Sequence, residues 1–562
     1  MQKPLRGLRS ARIVRESFAG LTLLAIAVPL NIGYAQIAGL PVTAGLYALI
    51  VPTLVYAVLT SSRQVVAAPD AAAAALVFSS LVGLGVGGAN LAEMAAAQAI
   101  LCGLALILAS ILRWGFLANF LSKPILVGFI AGLAIEVLVS QVRKMLGEPA
   151  AEAEGFFREV VELVAHLFEA SIPSALLSLG ALIVLIAGQR LLPKVPWALT
   201  TLVLATVITA IFNLPQQGIA VLGEVDAGAP QFAFPHLSLA QWVSLIPSAL
   251  ALALITMAEG VLLSRTYGQR RGYPTNSDQD LLAFGAANVA AGLSMSFAVG
   301  SSTSRTAAMD QLGSRTQLPS IIMAGGALLL LLFGTDILSQ IPVPVIGAVV
   351  AVAVWNLVGV REFVRLVRTS PYEFGIGIAC LVGVLILGPL QGLAVAFVLS
   401  LVNLVRRAAT PQVDVLGSGD ANAFTEVIER PASGSPLVVR LSGPLFFANA
   451  SAVSARVTGI VASAESDTRS LVLDAEGLGD LDVTAAEELR LLLDALSHRG
   501  ITVVLARLRP QVRERWDRFG LSEGLRVFST NREAVQWVRA SNPIGAEPAP
   551  SRGDDTETST SK

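Results

Sequence analysis

The sequence predicts an α-helical membrane protein of about fourteen spans, in two inverted sets of seven, followed by a cytosolic α/β domain. Three observations carry this. Between Ser17 and Val405 the chain is a succession of apolar runs near spanning length. Two of these runs are short, begin with polar and small residues, and each is third in its set of seven. Beyond Pro411 the pattern changes to alternating strand and helix signals. Only 14% of the 562 residues are charged, against about 25% in soluble proteins. A soluble core would need hundreds of buried residues with almost no polar face, which argues against that class.

The expected spans are 17–35, 42–60, 68–84, 90–112, 122–142, 172–189, 195–213, 241–264, 278–297, 302–314, 317–335, 341–358, 372–388 and 389–407. Thirteen peaks would also fit hydropathy alone. Lys3, Arg6, Arg9, Arg12 and Arg15 before the first run mimic a signal peptide, but the many later spans favour a retained first helix. The positive-inside rule places that basic end in the cytoplasm. Alternate loops then carry Arg63, Arg113, Arg190 with Lys194, Arg265 with Arg270 and Arg271, Arg315, and Arg361 with Arg365 and Arg368. Arg406 and Arg407 put the C-terminus inside too, and the outer loops are acidic (Glu148 to Glu162; Glu224, Asp226). Arg143 and Lys144 are the exception. The expected domains are a cytosolic segment 1–16, a transmembrane domain 17–407, a linker 408–435 that opens the C-terminal domain, that domain at 436–543, and a disordered tail 544–562. A multi-pass protein of the plasma (inner) membrane follows, in contact with lipid.

The short third and tenth spans invite a functional reading. Interrupted helices in matching positions of two halves point to a transporter's binding site. In "VGSSTSRTAAMDQLGSRTQLP" (299–319) a helix would begin near Ser302. Its first N–H groups lack helical partners, and in hydrocarbon that is costly unless something accepts them. The macrodipole adds partial positive charge, so a small anion suits the position. Gly300 allows close approach, Ser301, Ser302, Thr303 and Ser304 offer donors, and Arg305 adds a full charge. The other short helix begins at Asp70 and Ala71, after Ala68 and Pro69; proline suits a helix start because it has no N–H to leave unpaired. The alternative is that the serines only cap a short helix while Arg305 snorkels.

Four stretches resemble one family. They are "AGLTLLAIAVPLNIGYAQIAGLPVTAGLY" (19–47), "SSRQVVAAPDAAAAAL" (61–76), "LSKPILVGFIAGLAIEVLVSQVRKMLG" (121–147) and "DQDLLAFGAANVAAGLSMSFAVGSSTSRTAAMDQLGSRTQL" (278–318). All are similar to signatures of the SulP anion transporters, relatives of the animal family that includes prestin. The resemblance implies the seven-plus-seven fold of nucleobase transporters, divided into core and gate, with elevator-like alternating access. It implies substrate between the starts of spans three and ten, at Ala67 to Ala71 and Gly300 to Thr306 with Arg305. Leu30, Asn31 and Tyr34 would line the same cavity. A homodimer is implied as well. Four positions depart from the family pattern: Ala68 and Asp70 flank Pro69, Leu30 follows Pro29, and Ala298 stands where proline is common.

Two acids bear on coupling. Glu259 lies in span eight, and intramembrane carboxylates are functional by default. In related transporters an acid there serves proton or sodium coupling. Near Arg305 it would switch charge with substrate occupancy; a fixed Glu259–Arg305 pair is the alternative. Asp70 favours a helix start but repels an anion, which calls for a co-bound proton or sodium ion, the latter near Glu259 and Thr303; a plain cap is the other reading. Glu136, in span five, is expected at the core–gate boundary or a polar cavity.

In the C-terminal part "PLVVRLSGPLFFANA" (436–450), "SLVLDAEGLGDL" (470–481) and "ITVVLARL" (501–508) read as strands, and 483–500 and 510–521 as helices. The pattern resembles the STAS domain shared with anti-sigma-factor antagonists. "DLDVTAAEEL" (480–489) matches their phosphorylated segment, which puts Thr484 in that place as a regulatory candidate; Asp482 capping a helix beside a structural Thr484 is the alternative.

Secondary active transport of a small anion (bicarbonate, sulfate or dicarboxylate) with a proton or sodium ion is therefore the leading function. An uncoupled channel or exchanger and a membrane-tethered STAS signalling protein are the alternatives. No cofactor, resident metal or nucleic-acid partner is implied, and a membrane enzyme is disfavoured because no nucleophile–base pair or metal spacing appears.

Overall fold

The computed structural model describes residues 13–85, 90–115, 122–148, 155–192, 195–410, 412–417, 426–428, 436–464 and 469–541. The basic stretch up to Arg12, Lys194, most of the 408–435 linker and the tail 544–562 lie outside the described residues. The chain divides into two compact units, Met1–Ser400 and Leu401–Lys562.

The first unit is helical. Helix α1 (Ile13–Ile37) carries Pro29 inside it. The next apolar run is split into α2 (Val42–Tyr47) and α3 (Val51–Leu59), with Pro52 at the restart. Strand β1 (Val66–Ala68) leads into α4 (Ala71–Val82). There follow α5 (Asn90–Ile111), α6 (Lys123–Leu146), α7 (Phe156–His166), α8 (Ile172–Leu191) and α9 (Trp197–Phe212). The second half starts with α10 (Leu239–Arg271), opened by a Ser238/Gln241 capping box and closed by Gly272 at φ 69°. Then come α11 (Ser277–Leu293), β2 (Gly300–Ser302), α12 (Thr303–Gln311), α13 (Leu318–Phe333), α14 (Thr335–Ser339), α15 (Val343–Trp355), α16 (Val360–Thr369), α17 (Pro371–Leu387) and α18 (Pro389–Ala409).

Among the described residues eight helices, or helix pairs in continuous runs, are long and apolar enough to cross a membrane, and four apolar helices are shorter. Packing shows how the halves relate. Helix α1, first of its half, packs on α13; α10, first of the other half, packs on α5. Each is the fourth segment of the opposite half, so exchanging the halves exchanges the two contacts. Two amphipathic helices, α7 and α16, were not foreseen: they lie between the expected spans, in stretches read as loops.

Small residues let the central helices touch along their backbones. A methyl at Gly285 of α11 would sit 2.8 Å from the Gly103 carbonyl oxygen of α5 and 2.7 Å from Ile107 Cγ1. Gly285→Val is therefore expected to lower the melting temperature by several degrees, an overpacking cost of about 1–3 kcal/mol; a thermal-shift assay in detergent checks it.

The second unit is a six-stranded mixed sheet in the order β4-β3-β5-β6-β7-β8. Its strands are β3 (Val413–Gly417), β4 (Glu426–Val427), β5 (Leu437–Leu441), β6 (Ser470–Asp474), β7 (Thr502–Ala506) and β8 (Arg526–Phe528). From β5 to β8 they run parallel, while β3 and β4 are antiparallel additions at one edge. Helices α19 (Ala450–Ser463), α20 (Val483–His498) and α21 (Pro510–Arg518) bury one face around Trp516. Helix α22 (Asn531–Ser541) covers the other. The stretch 436–450, read as one strand, is strand only to Leu441; the chain then turns and α19 begins at Ala450. Asp482 caps α20, accepting from the Ala485 amide at 2.8 Å, and also accepts from the Phe447 amide at 2.9 Å. Thr484 is exposed beside it.

Candidate functional site

The two interrupted segments meet. Strands β1 and β2 pair antiparallel, with Val66 opposite Ser302, Ala67 opposite Ser301 and Ala68 opposite Gly300. All six residues are buried. This two-stranded ribbon satisfies backbone groups that neither short helix could satisfy, as irregular backbone within a membrane requires. It also brings the N-termini of α4 and α12 to one place.

Side chains fix the ribbon. Thr306 Oγ1 accepts from the Val66 amide at 3.0 Å, and Thr53 Oγ1 donates to the Ala67 carbonyl at 3.0 Å. Asn288 of α11 clamps the entry to β2: its amide nitrogen donates to the Val299 carbonyl at 2.8 Å, and its oxygen accepts from the Val299 amide at 2.9 Å. Asn288→Ala would leave both groups without these partners in a dry interior, a cost of about 2–4 kcal/mol. The expected result is a lower melting temperature with uptake reduced by about tenfold or more, read by thermal shift and flux in parallel.

Arg305 is fully buried. One guanidinium nitrogen donates to the Pro69 carbonyl at 3.0 Å and another to Asn31 Oδ1 at 2.5 Å. Its guanidinium carbon lies 5.8 Å from the centre of the Tyr34 ring. The Asn31 amide is itself held, donating to the Gly45 carbonyl at 2.9 Å. Arg305 thus ties the tenth segment to the proline that starts the third and to the first helix beyond its proline, while its Nε keeps no protein partner.

The two helix starts are unequal. Asp70 occupies the start of α4, accepting from the Ala73 amide at 2.7 Å. At α12 the cap position is Ser302, and its side chain makes no capping bond. The start of α12 therefore has no side-chain cap, unlike the alternative reading in which the serines only cap it. Ser301 Oγ is buried without a hydrogen-bond partner, and Thr303 and Ser304 are exposed. Gly300 stands between the acid and the opposite wall: a methyl there would lie 3.4 Å from Asp70 Oδ2 and 3.8 Å from Thr256 Oγ1. Ala68 and Ala71, on either side of Pro69 and Asp70, are buried small residues.

Glu259 lies on α10, three residues after Thr256, in electrostatic reach of Asp70. Among the described residues it makes no salt bridge with Arg305, whose polar contacts are Pro69 and Asn31. The fixed Glu259–Arg305 pair weighed from the sequence is therefore not formed. Glu136 is elsewhere, on α6, with one carboxylate oxygen buried and unpartnered. Asn288, Thr53 and Thr256 went unnoticed in the sequence; Asn288, a lone amide within an apolar run, was the one with a readable signal.

Comparison with known proteins agrees with this architecture. Residues 14–380 match the model of the sulfate permease family, and residues 427–534 that of the STAS domain. The chain is 35% identical over 532 residues to a probable sulfate transporter of Mycobacterium tuberculosis, covering 93% of this chain and 94% of that one. It is 26% identical to probable sulfate transporter 3.3 of Arabidopsis thaliana, covering 93% and 88%. Its fold is similar to the murine Solute Carrier 26 family member A9 anion transporter in the inward-facing state, with a TM-score of 0.87, 21% identity, and 95% and 92% coverage. The transmembrane domain of the cyanobacterial bicarbonate transporter BicA aligns at a TM-score of 0.59 and 22% identity, covering 70% of this chain and 98% of that one.

Proposed function

The chain belongs to the sulfate permease family, and from that premise we propose that it is a secondary active transporter of a small oxyanion, coupled to a proton or sodium ion. The observation that supports this is the β1–β2 ribbon, which joins the starts of α4 and α12, with buried Arg305 bonded across to the Pro69 carbonyl. The relatives are named as probable sulfate transporters and one structural neighbour as a bicarbonate transporter, so sulfate and bicarbonate are the first substrates to test.

A charge count supports coupling. Each helix start contributes about half a positive charge. With Arg305 the pocket holds roughly +2. Asp70 and Glu259, both ionised, cancel it, and a neutral pocket has no reason to hold an anion. Neutralising one acid, by a proton or by a sodium ion near Glu259 and Thr303, leaves about +1. Anion and co-ion would then enter together. Asp70 already spends its charge on the α4 start, so Glu259 is the acid that changes state. The anion would be received at the α12 end, by Ser301, the uncapped amides of Thr303 to Arg305, and Arg305 Nε.

In this reading the segments around the ribbon form a core that moves past a gate built on α6, α8, α9, α15, α17 and α18, an elevator-like exchange of access. The protein would be a homodimer in the plasma membrane, both termini cytoplasmic, with exposed Thr484 as the modification point of its STAS domain. Uptake into proteoliposomes tests the function. Concentrative uptake of labelled sulfate or bicarbonate under an inward proton or sodium gradient supports it. Flux that only dissipates the anion's own gradient would make the protein a channel, and no flux of any small anion would remove the transport reading.

A further inference from the structure

Helix α16 belongs to no part of the transport site, and its surface has three distinct faces. Counted at about 100° per residue, Val360, Val364 and Val367 fall on one stripe. Arg361, Arg365 and Arg368 fall on a second, about a quarter-turn round, and Phe363 and Leu366 on a third. The third stripe packs against the protein: the Phe363 ring meets Phe374 edge-on at 6.2 Å between centroids, and Leu366 is buried. Glu362, the helix's one acid, is bound to Lys123 at the start of α6, 2.6 Å away. The three valines are 57%, 47% and 47% exposed. The three arginines are exposed, and none forms a salt bridge among the described residues.

A helix held by one face, with an apolar stripe and a cationic stripe side by side and both open, fits the boundary of a bilayer. The valines would sit among the first methylenes and the arginines among the headgroups. With its acid engaged by Lys123, α16 presents net positive charge outward, and its complement is a negative one. The geometry points to α16 as a binding surface for anionic phospholipid headgroups, read by Arg361, Arg365 and Arg368. Guanidinium forks match phosphodiester oxygens, so the row selects charged lipid over zwitterionic lipid. Because α16 packs on α6 and α17, the lipid would be held against the part of the fold assigned above to the gate, on an observation independent of the anion site.

Native mass spectrometry of the full-length protein, offered equal phosphatidylglycerol and phosphatidylcholine, tests this. Wild type should retain phosphatidylglycerol in preference. Each arginine-to-glutamine change should weaken that preference by about fivefold, and the triple Arg361→Gln, Arg365→Gln, Arg368→Gln variant should abolish it. Should the triple variant fold poorly, the graded loss across the three single variants carries the same test. The triple lysine variant should recover most of the preference. Equal retention of the two lipids by wild type, unchanged preference in the glutamine variants, or displacement of the lipid by excess inorganic phosphate would each overturn the assignment. Capture of an acidic peptide on this face in place of the lipid would do so as well.

Discussion

Replacing Arg305 by glutamine is expected to abolish anion uptake in proteoliposomes while the protein still purifies as a folded species. Glutamine is shorter and neutral, so it removes the charge together with the bond to Asn31 Oδ1, the shortest that Arg305 makes at 2.5 Å. Truncating one member of a buried, hydrogen-bonded charge constellation costs about 2–5 kcal/mol, so the rate should fall by roughly thirtyfold to several thousandfold. Arg305→Lys keeps the charge and loses the fork that spans Pro69 and Asn31, so it should fall between wild type and glutamine. Comparing the two separates field from geometry. Equal uptake by wild type and Arg305→Gln, at equal protein in the membrane, would show that the anion does not depend on this charge.

Glu259→Gln is expected to leave anion exchange intact and eliminate uphill accumulation. With residue 259 permanently neutral, Asp70 offsets about one of the roughly two positive charges, and the anion can bind without a co-ion. Counterflow of labelled anion against unlabelled anion should therefore continue. Its rate should no longer follow the proton or sodium gradient, and concentrative uptake should vanish. An unaltered gradient dependence in Glu259→Gln would assign coupling elsewhere, with Asp70 next to be tested by Asp70→Asn. That second variant also removes the cap accepted from the Ala73 amide at 2.7 Å, so it is expected to lose stability as well.

Much of this arrangement could be read along the chain because the membrane makes local rules strict. Polar and small residues opening two short apolar runs, third and tenth in order, are hard to place in lipid except at broken helices. The acidic cap Asp70 and the charged Arg305 stood at those breaks. Other features depend on distance in the fold rather than along the sequence. Arg305 bonds Asn31, 274 residues away, whereas the fixed partner weighed for it, as an alternative, was Glu259. Nothing in the local pattern distinguishes an amide from a carboxylate as the neighbour of a buried guanidinium. The uncapped start of α12 was equally hidden, since a serine at a cap position reads as a cap whether or not its hydroxyl turns toward the amides. Helices α7 and α16 escaped for another reason: their charges interrupt the hydropathy that marks spans, while their apolar stripes are too narrow to raise it. In the STAS domain Ser442, Gly443 and Pro444 marked the turn after Leu441, but Phe446 and Phe447 look like strand residues until the fold shows them leading into α19.

The most direct measurement is a structure of the protein with selenate, an electron-dense mimic of sulfate, under conditions in which selenate competes with sulfate uptake. Its density should lie between the starts of α4 and α12, in contact with the first amides of α12 and with Ser301, and should disappear in Arg305→Gln. Density at any other place in a competent protein, with this pocket empty, would contradict the account.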